Sequence, residues 1–179
     1  MEPTPFHSSA RHDTTTTDYP ANMFSLARQG NSAALKRHLD QGLQPNLRDH
    51  KGDSLLMLAA YHGHVAAVEV LLTHSADPDL ANNNGETPIV SASFKGHLDV
   101  VQTLLMQGAD VEGKTQDGKT ALMIAAMFNR TDIVTLLLEH GANLRAQSDN
   151  GSTAIEAARA LGAGEAAAIL AERLAKTRG

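Results

Sequence analysis

Apolar residues recur along the chain in short helical groups that are separated by polar turns. In one group, Val101, Leu104 and Leu105 stand at positions i, i+3 and i+4, a spacing that puts all three on one face of a helix. The same spacing recurs in two further segments, at Val68, Leu71 and Leu72 and at Val134, Leu137 and Leu138. Gly108 and Gly141 follow two of these groups and are typical of a helix end. The pattern predicts amphipathic helices, with Leu104 and Leu105 both buried between neighbouring units.

A second, shorter type of helix precedes each amphipathic one. Small residues lie at its centre and let neighbouring helices approach closely; the pairs are Ala59-Ala60, Ala92-Ser93, Ala125-Ala126 and Ala157-Ala158. A Thr precedes three of these helices, at Thr87, Thr120 and Thr153, and its hydroxyl can accept a hydrogen bond from a free N–H of the starting helix. A Gly or Asn ends them, at Gly63, Gly96, Asn129 and Gly162. Ser75 occupies the same position after its amphipathic helix as Gly108 does after the next one. This equivalence predicts a left-handed backbone at Ser75.

The two helix types alternate in a unit of fixed length. Gly52, Gly85, Gly118 and Gly151 are each 33 residues apart, and the blocks that begin at them align without gaps. A weaker copy precedes these four blocks. A fixed period of this length is typical of a stack of repeated units, none of which buries enough surface to be stable alone. We therefore predict five repeats, at about 21–51, 52–84, 85–117, 118–150 and 151–179.

These blocks resemble the ankyrin-repeat family over about residues 21–176. The family's Thr-Pro-Leu-His phrase stands here as SLLM, TPIV, TALM and TAIE, and the later phrases HGH (62–64), KGH (95–97) and GAD or GAN keep the family's form. The resemblance implies an all-α repeat solenoid of about five helix-turn-helix units, caps included, with β-hairpin or turn connections. It also implies a non-catalytic module that binds a protein partner through a concave groove.

The two ends of the chain differ from its centre, as capping units do. Polar residues mark both ends: Lys36, Arg37 and His38 in the first copy, and Glu172, Arg173 and Lys176 in the last. Residues 1–20 are rich in Thr, Pro, Ser and His and have no apolar period, which predicts a disordered tail before a repeat domain at 21–179. A docking or processing segment is the alternative for this tail.

Composition argues against several classes of partner. The formal net charge is −5 and the pI is near 5.9, whereas nucleic-acid binding draws on a clustered basic surface. There is no secretory signal pattern and no apolar run of about 18 residues, so we expect no membrane partner. The chain has no Cys, which excludes disulfides and Cys-based zinc sites and suits a reducing compartment. We therefore expect a monomeric cytoplasmic protein.

The polar residues show no spacing that catalysis, a metal or a cofactor would need. The nine His residues form no metal-binding motif, and neither a phosphate loop nor a nucleophile elbow is present. His64 and His97 share one repeat position, which favours a structural role such as a bond to a neighbouring turn. His74 and His140 share another, near a helix end, where a cation complements the helix dipole. We expect no enzyme activity, no cofactor and no metal.

Positions that vary between the copies define the candidate binding surface. In ankyrin-like stacks the exposed ends of the first helices and the hairpin tips line the groove. The helix ends are Arg28, Gln29, Tyr61, His62, Phe94, Lys95, Met127, Phe128, Ala160 and Leu161. The tips are His50, Lys51, Asp53, Asn83, Asn84, Glu86, Gln116, Asp117, Lys119, Asp149, Asn150 and Ser152. Because these positions vary while the core positions do not, packing does not dictate them.

Three aromatic residues, Tyr61, Phe94 and Phe128, give each central copy one ring. A row of rings along a groove would suit an interface, where large side chains anchor a partner. The alternative is that each ring only packs on the neighbouring helix, and the sequence favours neither. The leading interpretation is an adaptor or scaffold, and a narrower one is a dedicated inhibitor or neutralising partner of one enzyme. An enzyme or a nucleic-acid binder is the competing class, and both lack a motif.

Overall fold

The computed structural model describes residues 19–177, which fold into ten helices. In chain order these are α1 (Tyr19–Gln29), α2 (Ser32–Asp40), α3 (Leu55–Tyr61), α4 (Val65–Thr73), α5 (Pro88–Lys95), α6 (Leu98–Met106), α7 (Ala121–Met127), α8 (Thr131–Glu139), α9 (Ala154–Ala160) and α10 (Gly164–Lys176). The odd-numbered helices pack side by side in one row, and the even-numbered helices form a second row against them. We call the two rows the inner and the outer helices. The predicted all-α repeat solenoid of five units is confirmed.

The first described helix begins close to the predicted start of the repeat domain, whose bounds stay a prediction. Helix α1 begins at Tyr19 rather than at residue 21, and Pro20 is tolerated there because the first turn of a helix leaves its N–H groups unpaired anyway. The rest of the predicted tail lies outside the described residues, so its disorder stays a prediction. At the same end of the stack, Lys36 and Arg37 on α2 are exposed, as a polar cap requires.

Each repeat leads into the next through a tight turn. The backbone N–H of Asp49 donates to the carbonyl oxygen of Asp53 at 3.0 Å. The equivalent bonds, also at 3.0 Å, join Asn82 to Glu86, Thr115 to Lys119 and Ser148 to Ser152. Isolated antiparallel bridges flank two of the turns, Arg48 with Ser54 and Lys114 with Thr120, and residues 19–177 contain no longer strand. We call residues 49–53, 82–86, 115–119 and 148–152 the tips.

Hydroxyl groups cap three of the inner helices. Ser54 accepts a hydrogen bond from the N–H of Met57 at 3.0 Å, Thr120 accepts one in the same way, and Thr153 forms a capping box with Glu156. The predicted cap is wrong at Thr87, whose buried Oγ1 has no hydrogen-bond partner among the described residues. There Pro88 opens the helix, and its fixed φ sets the helical start without a side-chain cap.

The core lies between the two rows of helices. One side chain at its edge is less buried than predicted. Val101 and Leu104 are fully buried, but Leu105 is only half-buried. The expectation that Leu105 is buried between units is therefore wrong. The buried face of α6 is rotated towards Val100, which is fully buried, and this rotation leaves Leu105 at the edge of the core. Leu72 and Leu138, at the same repeat position, are likewise half-buried.

One repeat position bonds three successive units to the unit before them. The Nε2 atom of His64 lies 2.9 Å from the carbonyl oxygen of Arg28, and that of His97 lies 3.1 Å from the carbonyl oxygen of Tyr61. In the next unit Arg130 takes the same position and donates to the carbonyl oxygen of Phe94 at 3.4 Å. The predicted structural role of His64 and His97 is confirmed.

A second pair of histidines caps the ends of outer helices. The Nδ1 atoms of His74 and His140 lie 2.7 and 3.1 Å from the carbonyl oxygens of residues four earlier in the chain. The Nε2 atom of His74 also lies 3.0 Å from the Oδ1 atom of Asp40 in the preceding repeat. The hydrogen bond to Asp40, followed by the bond to the Val70 carbonyl, raises the pKa of His74. At His74 the cation is therefore favoured, chiefly by the Asp40 carboxylate of the preceding repeat.

The backbone at Ser75 has the same conformation as at the equivalent glycine of the next repeat. Ser75 has a φ of 65°, close to the 88° of Gly108, so the predicted left-handed conformation is confirmed.

At the end of the stack, Glu156 and Arg159 take the positions of the buried Met123 and Ala126 one repeat earlier, and both are exposed. Within residues 19–177 no further repeat covers α9 on this side, and polar residues stand there in place of apolar ones.

Candidate partner-binding groove

The tips and the exposed side of the inner helices enclose a groove that runs along the stack. A first cleft of about 350 Å³ lies between α3 and the tips at 49–53 and 82–86. A second cleft of about 700 Å³ lies between α5, α7 and the tips at 82–86, 115–119 and 148–152. The tip at 82–86 contributes Asn84 and Glu86 to both clefts, so the two are adjacent parts of one groove.

Most of the predicted site residues line these two clefts. The first cleft contains Arg28, Lys51, Asp53, Tyr61, His62, Asn84 and Glu86. The second contains Asn84, Glu86, Phe94, Gln116, Asp117, Lys119, Met127, Phe128 and Asp149. His50, Asn83 and Lys95 line neither: the Asn83 Nδ2 donates to the carbonyl oxygen of His50 at 3.2 Å, and the Lys95 Nζ lies over the Tyr61 ring, 5.0 Å from its centroid. The candidates that also lie outside both clefts are Gln29, Asn150, Ser152, Ala160 and Leu161, of which the last four line a separate cleft at α9.

Backbone hydrogen bonds hold the tips at a fixed spacing. The N–H of Asn83 donates to the carbonyl oxygen of Lys51 at 3.0 Å. Equivalent bonds join Gln116 to Asn84 at 3.2 Å and Asp149 to Asp117 at 3.1 Å. The rim of the groove is therefore tied together from repeat to repeat, and a partner would meet a surface that is already formed.

The three aromatic residues are each partly exposed, but they do not form one continuous row. Tyr61 is 38% exposed, and Phe94 and Phe128 are each 39% exposed. Phe94 and Phe128 pack edge to face, with ring centroids 4.7 Å apart, whereas Tyr61 lies edge-on to His62 at 5.2 Å. The strict equivalent of Phe94 in the next repeat is Met127, which is half-buried, so Phe128 reaches Phe94 from one residue further on.

The two clefts differ in their electrostatics. In the first cleft, burial lowers the pKa of His62, and the nearby His64, Arg28 and Lys95 lower it further. Arg28 is paired with the Asp49 carboxylate at 2.9 Å. In the second cleft, hydrogen bonds from Lys119 and then from Thr115 lower the pKa of Asp117. The first cleft therefore has more cationic neighbours than the second.

A comparison with known families agrees with this architecture. The family model for ankyrin repeats, three copies long, matches residues 23–115 and 108–178. The chain belongs to the ankyrin-repeat family. A protein of Pseudomonas aeruginosa that is named as an ankyrin repeat protein is 63% identical over 51 residues, which are 28% of this chain and 30% of that relative. The match thus spans less than a third of the relative's length. Ankyrin repeats are generally protein–protein interaction modules and are typically non-catalytic.

Several cleft residues were not among those expected from the sequence. They are Met57, Leu58, Asn82, Ser91, Thr115 and Ile124. Leu58, Ser91 and Ile124 share one position of the ankyrin repeat, and Asn82 and Thr115 share another. The signal that could have found them is their variation between copies, which is as large as at the chosen positions. Met57, Leu58, Ser91 and Ile124 were missed because their apolar neighbours made them resemble core positions.

Two other kinds of feature are absent from the described part of the chain. Within residues 19–177 no group of three or more His, Asp or Glu side chains is placed to hold a metal ion. Over the same residues, no helix has both the length and the apolar character that crossing a membrane requires.

Proposed function

We propose that this chain is a non-catalytic adaptor or scaffold that binds a protein partner through the two clefts of the groove. One observation carries the proposal: partly exposed rings lie beside tips whose side chains differ from repeat to repeat, on a frame of fixed hydrogen bonds. Aromatic side chains in such a setting are typical anchors of protein interfaces. A surface that is formed before binding also loses less conformational entropy when a partner arrives.

The contact between the Phe94 and Phe128 rings supports a role for both as anchors of a partner. The edge-to-face pair of Phe94 and Phe128 fixes both rings, and each still exposes more than a third of its surface. An aromatic pair of this kind contributes about 0.5–1.5 kcal/mol beyond its buried area. We therefore expect Phe94→Ala to lower folding stability less than the loss of a fully buried leucine, which costs about 2–5 kcal/mol.

The adaptor and inhibitor roles would both use the two clefts of the groove. We propose a monomeric cytoplasmic module, for which a chain without Cys is suited. A dedicated inhibitor or neutralising partner of one enzyme remains the alternative to an adaptor, and it would occupy the clefts in the same way. An enzyme that loses activity when it is bound would distinguish the inhibitor from the adaptor.

The proposal is tested by comparing three forms of the protein as bait in a native lysate. They are the unaltered protein, a Tyr61→Ala/Phe94→Ala/Phe128→Ala variant and a Met106→Ala control. Met106 lies at the end of an outer helix and is 73% exposed, so the control removes a comparable apolar side chain away from the groove. We expect the control to capture the same partner as the unaltered protein and the triple variant to lose it.

The result counts only if all three forms fold, which urea unfolding checks. Loss of one anchor typically costs an interface about 2 kcal/mol or more, or about thirtyfold in affinity. Capture of the same partner by the folded triple variant and by the unaltered protein would reject the groove as the binding surface.

A further inference from the structure

The second cleft combines an apolar floor with an excess of negative charge. Its floor consists of Phe94, Ile124, Met127 and Phe128. Its charged side chains are Glu86, Asp117, Asp149 and Lys119, three carboxylates and one ammonium. All four belong to tips, so the charge lies on the rim and the apolar surface lies below it.

Pairing within the rim leaves two carboxylates without a cation. The Lys119 ammonium is already paired with Asp117. Glu86 accepts a hydrogen bond from the neutral Asn82 amide at 3.1 Å. Neither Glu86 nor Asp149 has an ion-pair partner within residues 19–177. An ionised carboxylate on the wall of an apolar cleft is a favourable site for an incoming cation.

These two carboxylates belong to the first and the last of the three tips that line the second cleft. Glu86 belongs to the tip at 82–86 and Asp149 to the tip at 148–152, with the tip at 115–119 between them. Phe94 and Phe128 lie in the same cleft, packed edge to face. A ligand that covers the rings would therefore pass between two negative charges.

We infer that the second cleft binds a segment of the partner in which an apolar side chain is flanked on both sides by Lys or Arg. This inference rests on the proposed function and specifies its ligand. The apolar side chain would remove ring surface from water, and the flanking cations would pair with Glu86 and Asp149. An acidic segment or a nucleic-acid backbone would instead bring like charge to both carboxylates.

The first cleft provides an internal comparison. Lys51 lines it, Lys95 lies on the Tyr61 ring beside it, and neither lysine has an ion-pair partner among the described residues. Removing these two cations changes the charge of the groove by the same amount as removing Glu86 and Asp149, but with the opposite sign. The two pairs of residues therefore make matched variants.

The test selects binders from a random peptide library displayed on phage, with the folded full chain as bait. Selected peptides are then synthesised, and their affinities are measured at low and high salt. The chain is compared as the unaltered protein, as Glu86→Gln/Asp149→Asn and as Lys51→Gln/Lys95→Gln. Gln at position 86 keeps an oxygen that can accept from Asn82, and Asp149→Asn alone serves if the double variant does not fold.

We expect the selected peptides to carry Lys or Arg on both sides of an apolar residue. Their affinity should fall about twofold to thirtyfold in Glu86→Gln/Asp149→Asn, the range for two exposed ion pairs. It should also fall with rising salt, because exposed charge pairs are screened, and it should not fall in Lys51→Gln/Lys95→Gln.

Two contrary results are distinguishable. Acidic or uncharged peptides that bind the unaltered chain but not a Phe94→Ala/Phe128→Ala variant would overturn this inference and leave the proposed function intact. So would basic peptides whose affinity is unchanged in Glu86→Gln/Asp149→Asn. If no selected peptide depends on the aromatic pair, this inference and the proposed binding through the second cleft both fail.

Discussion

The Nε2 atom of His97 lies 3.1 Å from the carbonyl oxygen of Tyr61, the last residue of the inner helix one repeat earlier. Carbonyl groups at a helix end have no partner within the helix, so the imidazole satisfies a group that would otherwise need water. The same ring lies so close to Gly63 that a side chain at that position would meet it within 2.7 Å. One side chain thus joins two repeats and covers the end of the preceding helix.

Replacing this histidine should weaken the stack. We expect His97→Ala to lower the free energy of unfolding in urea by about 0.5–1.5 kcal/mol, the usual range for one hydrogen bond. His140→Ala is the matched control, because among the described residues the His140 ring bonds only to Leu136 in its own helix. The control should cost less than His97→Ala. Equal losses for the two variants would show that the bond between repeats contributes nothing of its own.

The two leucines of α6 should differ in their effect on stability. Leu104→Ala removes a fully buried side chain and should cost about 2–5 kcal/mol in urea unfolding. Leu105→Ala removes a half-buried one and should cost distinctly less, because part of its surface already contacts water. If Leu105→Ala is as damaging as Leu104→Ala, the face of α6 that is buried in solution is not the one that contains Val100 and Leu104.

The left-handed backbone at Ser75 can be tested by two reciprocal substitutions. A non-Gly residue in this conformation costs roughly 1 kcal/mol, so Ser75→Gly should raise the urea midpoint. Gly108→Ser is the reciprocal change and should lower it. Nothing lies within 4 Å of a Cβ at position 108, so the cost there is conformational rather than steric. A lower midpoint for Ser75→Gly would contradict the argument.

Asp79 should make stability depend on pH. Its Oδ1 accepts a hydrogen bond from the N–H of Asp110 at 2.9 Å. Burial raises the pKa of Asp79, and the nearby Asp110 and Asp77 carboxylates raise it further, although the bond from Asp110 lowers it. Because its ionised form is disfavoured in the folded protein, the stability that Asp79 contributes is greatest below the pKa of an Asp in the unfolded chain, about 4. It falls as the pH rises through the higher folded-state pKa.

Asp79→Asn should therefore stabilise the protein at neutral pH. Asn46, at the equivalent position, accepts the same type of bond from the N–H of Asp77 at 2.8 Å, so an amide can replace the carboxylate here. We expect a higher urea midpoint for the variant at pH 7 and a shrinking difference as the pH falls towards about 4, the ordinary range of Asp. A variant that is less stable at pH 7, or a gain that does not change with pH, would reject this assignment.

The sequence already contained much of the fold, because the relevant signals are local. Gly and Asn at helix ends, Ser75 at a position that Gly otherwise occupies, and the hydroxyls before α3, α7 and α9 each depend on a few neighbouring residues. The period of the repeat then placed the tips and inner helix ends of the groove, and most of the residues chosen from that pattern line the two clefts. The missing cap at Thr87 is a local exception that accompanies Pro88.

Only the tertiary structure decided which side chains meet across repeats. The sequence pattern treats Leu104 and Leu105 alike, yet only Leu104 is buried, because neighbouring helices cover one side of α6 more fully. It treats Tyr61, Phe94 and Phe128 as one row, yet Phe94 pairs with Phe128 while Lys95 lies on Tyr61. Helix ends, turns and the period are set within one repeat. Contacts between side chains also depend on the rotation and spacing between repeats, and those follow from how the whole stack packs.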